Sequence, residues 1–275
     1  IQLAHAGRKA SSIIPWRGSF NETETERPVV GFEEWTPVAP SAVRHMASSK
    51  LPEALNRDGM ARVRDGFAAA ARRALAAGFD VVELHSAHGY LLNQFLSPVA
   101  NKRDDDYGGS IENRMRFPLE VAAAVRAAWP KDKPLFARIS VTDWIEGGND
   151  VADSVAYSKA LKALGYDLIH CSSGGFDGAR PQIGPLYQVP FAEAVRRGAD
   201  IPTAAVGLIT TPQEAEEIVA AGRADLVALA RPALHEPNWP LHAQRLLDPG
   251  SNYDAWPKQS GYAVRAMDMA LGRGR

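Results

Sequence analysis

The chain has 275 residues, 45% of them hydrophobic, with 31 basic against 32 acidic side chains for a formal net charge of -1, and a single cysteine. That length and apolar fraction suffice for one large α/β domain and argue against disorder, while the balanced charge leaves no electrostatic footprint for nucleic acid or an anionic membrane surface. One cysteine excludes an internal disulfide framework and a multi-cysteine zinc or iron–sulfur site, no stretch reaches the ~18 apolar residues of a membrane span, and a soluble, cytoplasmic protein acting on a small molecule is expected.

The chain opens on IQLAHAG, an apolar run that breaks at Gly7. Residues 11–57 then carry many Pro, Ser, Thr and Glu residues without a sustained period. A structureless stretch that long is expected to be a lid or binding loop. Beyond it, apolar or β-branched runs at 81–85, 135–140, 168–172, 203–207 and 226–230 alternate with helical patterns at 59–77, 113–129, 151–164, 190–197 and 212–221. Thr211 is placed as an N-cap before Pro212 at the first helical position. Gly78, Gly165 and Gly222 each follow a helix, where a left-handed C-terminal cap favours glycine. The alternation predicts a parallel sheet closed by helical crossovers, an α/β fold forming one domain over residues 1–275.

Polar groups cluster where the runs end: Gln2 and His5, His85 and His88, Arg138 and Ser140, Ser172-Ser173-Gly174-Gly175, Gly207, and Arg231. In a (β/α)8 barrel the active site lies at the carboxyl-terminal rim, so the pattern reads as one site assembled from six strands. Within HSAHGYLLNQFLSP, residues 85–98, His85 and His88 allow three readings. They are an HxxH metal pair lacking an obvious third ligand, two structural histidines, or two imidazole N–H donors converging on one oxygen as an anion hole. Tyr90 is either a packing ring or a proton donor. The loops after the last two strands are the usual phosphate site of such a barrel. There Gly207 would admit backbone N–H groups to phosphate oxygens, and Arg231 would add a forked charged donor. Arg138 lies between apolar neighbours in LFARI and needs a partner if it faces inward. Asp104-Asp105-Asp106 lacks EF-hand spacing and reads as a solvated capping run; Cys171 reads as a small buried apolar residue.

The segments IQLAHAGRKA, HSAHGYLLNQFLSPVANKRDDDYGGSIENRMRFPLEV, AVGLIT, and ALARPAL with the later PNWP resemble the old yellow enzyme family of flavin-dependent ene-reductases, in its thermophilic-like branch, over nearly the whole chain. The resemblance implies a (β/α)8 TIM barrel that binds FMN, is reduced by NAD(P)H and is reoxidised by an activated alkene such as an enone or a maleimide. It implies that His85 and His88 hold the substrate carbonyl and that Tyr90 delivers a proton to the α-carbon. Gln2 and Arg138 would meet the pyrimidine edge of the flavin, and Gly207, Ala230 and Arg231 its phosphate. Ala230 stands where the family often has glycine, a change that a backbone N–H contact survives. The family's barrel has eight strands, and six runs are present here; two further βα units, about 60 to 100 residues, are therefore expected upstream. The tail Trp256-Pro257-Lys258-Gln259-Ser260 resembles the region through which this branch reaches a neighbouring subunit's site, with Arg265 as the residue that would cross, although the aromatic usual after Gln is missing. A homo-oligomer is left open. So are two other readings: a 2,4-dienoyl-thioester reductase of the same superfamily, whose iron–sulfur cluster one cysteine cannot hold, and a catalytically silent barrel remnant that binds a ligand or partner.

Overall fold

In the computed structural model, which describes residues 1–12, 35–248 and 250–272, the first apolar run forms β1 (Gln2–Leu3). Residues 13–34 of the expected lid lie outside the described residues. The rest of that segment carries β2 (Val38–Ala39) and β3 (Glu53–Ala54), paired with each other in parallel. Strands of two residues have no alternation to read, so the sequence showed only a loop there. Helix α1 (Arg57–Ala76) follows, with the Asn56 side chain accepting the Gly59 N–H at its start.

The alternation then runs as the periodicity predicts. In chain order come β4 (Val82–Ser86), α2 (Leu91–Leu96), α3 (Ile111–Ala128), β5 (Leu135–Ser140), α4 (Val151–Ala163), β6 (Leu168–Ser172), α5 (Val189–Ala199), β7 (Thr203–Ala205), α6 (Pro212–Ala220) and β8 (Leu226–Val227). Three helices follow: α7 (Arg231–His235), α8 (Trp239–Leu247) and α9 (Lys258–Ala270). Thr211 caps α6 as expected and completes a reciprocal capping box with Glu214, satisfying two backbone donors that a helix start leaves free. Gly78, Gly165 and Gly222 all take positive φ, at 82°, 87° and 65°.

Six strands pair in the order β1-β4-β5-β6-β7-β8, each neighbouring pair parallel, with β1 and β8 as the two edges. Strands and crossover helices together form the greater part of the wall of a (β/α)8 barrel. Successive strand residues face opposite sides, and β4 shows the division. Val82, Leu84 and Ser86 are buried against the helical layer, where Ser86 Oγ lies 3.2 Å from the Tyr157 hydroxyl of α4. Glu83 and His85 therefore face the barrel interior. The helical layer is sealed by rings such as Phe95 and Phe117, fully buried with centroids 4.4 Å apart; each contributes about 1.5 to 3 kcal/mol through burial. Among the described residues no helix is long and apolar enough to cross a membrane.

Candidate active site

The turn after β4 is held in an unusual shape by its neighbours. His88 adopts φ 58° and Gly89 φ 69°, and the left-handed region is costly for a residue with a β-carbon. The backbone groups of both residues are engaged. The His88 N–H donates to Ser140 Oγ at 2.8 Å, the Gly89 N–H to Asn93 Oδ1 at 2.7 Å, and Gln94 Nε2 to the Gly89 carbonyl at 2.6 Å. Lys9 Nζ donates to the carbonyls of both His88 and Gly175, each at 3.0 Å. Asn93 and Gln94 are fully buried on α2. Buried on every side, this helix has no polar face to announce it; its two amides belong to the turn.

This turn brings His85, His88 and Tyr90 together. The His85 ring centroid lies 5.1 Å from that of His88 and 5.1 Å from that of Tyr90, the latter pair edge to face. Burial first, and then the positive charge of Arg138, lower the His85 pKa to about 4 and that of His88 to about 3. Both rings are consequently neutral at pH 7, and each carries one N–H. His88 Nε2 is 2.7 Å from Ser172 Oγ, and that hydroxyl in turn donates to Gln188 Oε1 at 3.3 Å. The short contact anchors the His88 ring to β6 through Nε2. Among the described residues no group of three His, Cys, Asp or Glu side chains is placed to hold a metal ion.

A second set of expected residues lines one small cleft. Arg138, Gly207, Ala230 and Arg231 surround it with Ser172 and Gln188, enclosing about 170 Å³. That is below the roughly 300 Å³ of a whole small-molecule site, and it suits the phosphate end of a larger ligand. Gly207, which lines the cleft, has φ 119°, and a β-carbon there would fall 2.9 Å from Gln188 Cβ, so only glycine lets these two lining residues pack together. Arg231 opens α7 instead of ending the eighth strand, which stops at Val227. Of Ser172-Ser173-Gly174-Gly175, only Ser172 lines the cleft; Gly175 packs against the His88 backbone.

Gln2 lies apart from that cleft, on the edge strand, where its Nε2 donates to Glu83 Oε1 at 2.6 Å. Arg138 stands in register between His85 on β4 and His170 on β6. Its Nε, together with His85 Nδ1 and His170 Nε2, is buried without a hydrogen-bond partner among the described residues. Such groups are uncommon in folded proteins, and three of them on the inner face of adjacent strands mark a surface made for a polar ligand. The donor set and the phosphate-sized cleft lined by Gly207 and Arg231 fit FMN. Here Gln2 and Arg138 would meet the ring's polar edge, and Gly207, Ala230 and Arg231 the phosphate.

The remaining expectations resolve simply. Asp105 pairs with Arg103 and accepts the Tyr107 N–H, so the acidic run organises a turn. Cys171 is fully buried, and burial pushes its thiol pKa up. Arg265 is exposed on α9 beside Tyr253 and Trp256.

The profile of the NADH:flavin oxidoreductase / NADH oxidase family matches residues 1–248. The chain is 48% identical over 247 residues to an NADPH dehydrogenase of Geobacillus thermodenitrificans, an alignment covering 90% of this chain and 66% of that protein. It is 42% identical over 259 residues to an NADPH dehydrogenase of Listeria innocua, covering 94% of this chain and 69% of that protein. Among solved structures, morphinone reductase superposes with a TM-score of 0.68 at 30% identity, over 88% of this chain and 64% of its own. The chain thus spans about two thirds of the length of these relatives.

Proposed function

The chain belongs to the NADH:flavin oxidoreductase / NADH oxidase family, and from that premise we propose that it serves as an NAD(P)H-dependent FMN ene-reductase acting on activated alkenes such as enones and maleimides. The observation that carries this reading is the cluster of two neutral imidazoles and a phenol, with the His85 ring centroid 5.1 Å from those of both His88 and Tyr90, beside a phosphate-sized cleft lined by Arg138 and Arg231. FMN, when bound, supplies the hydride.

The chain's own residues supply the rest. An alkene conjugated to a carbonyl gathers negative charge on that oxygen as hydride adds to its β-carbon, and N–H donors fixed in a dry site stabilise the charge. His85 and His88 are those donors. Because both are neutral, they offer N–H groups without a permanent charge that would hold an anionic product. Ser172 holds the His88 ring through its Nε2 contact, and the ring's N–H is offered to the substrate oxygen. Tyr90 stands against His85 and gives its phenolic proton to the α-carbon, completing the addition. The part of the 11–57 segment that is described, with β2 and β3, supports its reading as a covering element of the barrel mouth, since Arg8 donates to the carbonyls of Val43 and Arg44.

The test is spectroscopic. Purified chain titrated with FMN should take up the flavin, bleach its visible bands on anaerobic addition of NADPH and recover them on addition of an enone. A chain that excludes FMN is a silent barrel remnant, and one that bleaches but does not recover with any activated alkene is not an ene-reductase.

A further inference from the structure

We propose that Glu83 is a positioning residue for the flavin-facing wall, its single carboxylate orienting the Gln2 amide, fixing the His170 tautomer and supplying the counter-charge to Arg138. The inference rests on the reading of this wall as the FMN site. Among the described residues of the six barrel strands, Glu83 is the only acidic one. It faces the interior, opposite Gln2 in the β1–β4 register.

Both carboxylate oxygens are in use. Gln2 Nε2 donates to Oε1 at 2.6 Å, and His170 Nδ1 donates to Oε2 at 3.0 Å. The first bond settles which way round the Gln2 amide lies and leaves its oxygen as the acceptor for a ligand's N–H. The second bond needs a proton on Nδ1, because a carboxylate only accepts, so in the neutral tautomer the buried Nε2, which has no partner among the described residues, is an acceptor. Arg138 lies between His85 and His170 and forms no ion pair within 4 Å among the described residues, yet Glu83 raises its pKa against the lowering by burial. One acid thus serves three residues. A glutamine at position 83 has the same shape but one acceptor oxygen and an NH2 group, so either Gln2 or His170 must lose its partner or turn over.

The electrostatic consequence is separate from packing. A carboxylate near the ring opposes the negative charge that a flavin gains on reduction, whereas Arg138 favours it. Removing the carboxylate while keeping the volume should therefore raise the flavin's midpoint potential, an effect that mere structural support would not produce.

The experiment uses the full chain in two states. In the FMN-free protein, ¹⁵N imidazole NMR of the wild type should find His170 protonated on Nδ1, and Glu83→Gln should move the proton toward Nε2. In the FMN-loaded protein, Glu83→Gln should shift the midpoint potential upward and weaken FMN roughly two- to tenfold, the effect of one lost hydrogen bond; Glu83→Asp, which keeps the charge, should restore most of the potential. A wild-type His170 protonated on Nε2 overturns the proposal without any variant, as does an unmoved potential in folded Glu83→Gln. A chain that takes up no FMN instead defeats the reading of the site, and the tautomer in the FMN-free protein still decides the role of Glu83.

Discussion

Gly175 lies so close to His88 that a β-carbon on residue 175 would fall 2.0 Å from the His88 carbonyl carbon. The reverse approach is nearly as tight, since a β-carbon on Gly89 would meet the Gly175 carbonyl oxygen at 2.3 Å. The loop after β6 and the turn after β4 are thus interlocked through backbone that tolerates no side chain, and Lys9 ties the two carbonyls together.

The interlock predicts the effect of Gly175→Ala. The methyl group must push the His88 backbone away, and φ 120° at position 175 is unsuited to alanine as well. Overpacking of this kind costs about 1 to 3 kcal/mol, and the displaced imidazole should lose affinity for phenols, whose oxygen imitates an enolate. Gly66→Ala is the control: it lies inside α1 with nothing within 4 Å of a new methyl and should add about 0.5 to 1 kcal/mol of stability. Denaturant unfolding together with phenol titration reads both. Unchanged phenol binding in Gly175→Ala would separate the interlock from the site.

A phosphate removed from water needs compensating charge. If the cleft holds that group, Arg231→Ala should weaken FMN by about ten- to a hundredfold, the range of a lost charge-assisted hydrogen bond, and should leave riboflavin almost unaffected. Fluorescence titration with both flavins separates the effects. Equal weakening of the two would place Arg231 elsewhere on the ligand, and no weakening of either would remove it from the site.

Much of this arrangement was readable from local pattern. The apolar runs located all six barrel strands, and Thr211 and Pro212 marked the start of α6, because backbone satisfaction there is a matter of neighbours in sequence. Helix α2 was missed because its six residues are all buried and show no amphipathic period. The tail helices α7, α8 and α9 were missed too; α8 and α9 bury few of their residues, so packing leaves a faint imprint on their sequence. What decides the chemistry was least legible. Ser172 is 84 residues from His88, and His170 is 87 from Glu83; such pairs exist only once the strands stand side by side. Glu83 itself sat in plain view within an apolar run, where a single inward acid could have been noticed as a group in need of partners.

Asp143 gives a prediction about pH. Its carboxylate is fully buried, with one oxygen accepting from Ser97 Oγ at 2.6 Å and the Asn149 N–H at 2.7 Å and the other without a partner among the described residues. Burial outweighs those bonds and pushes the pKa up from 3.8 to about 6. The native state thus binds more protons than the unfolded chain between those values, and the group lowers stability as pH rises through the window, by on the order of 3 kcal/mol when complete. Asp143→Asn does not titrate. In unfolding experiments at pH 4 and pH 7, the wild type should therefore lose stability relative to the variant on going to the higher pH. Parallel changes in the two proteins would show that Asp143 is ionised throughout.

Tyr90→Phe separates proton delivery from hydride delivery. The substitution keeps the ring that stands edge to face against His85, and with it the packing, but removes the acidic proton. Flavin reduction by NAD(P)H requires nothing from that hydroxyl and should stay near its original rate. Alkene reduction should slow by something like 10²- to 10⁴-fold, the usual loss with a positioned acid. The size of the effect should depend on the substrate. Where strong activation leaves the α-carbon with enough negative charge to take a proton from water, the hydroxyl matters less, so a maleimide should suffer less than a weakly activated enone. Rapid mixing of the FMN-loaded chain, first with NADPH and separately with each alkene, measures the two half-reactions independently. Equal slowing of both would make Tyr90 a packing residue, and undiminished reduction of the weakly activated enone would assign the proton to a different donor.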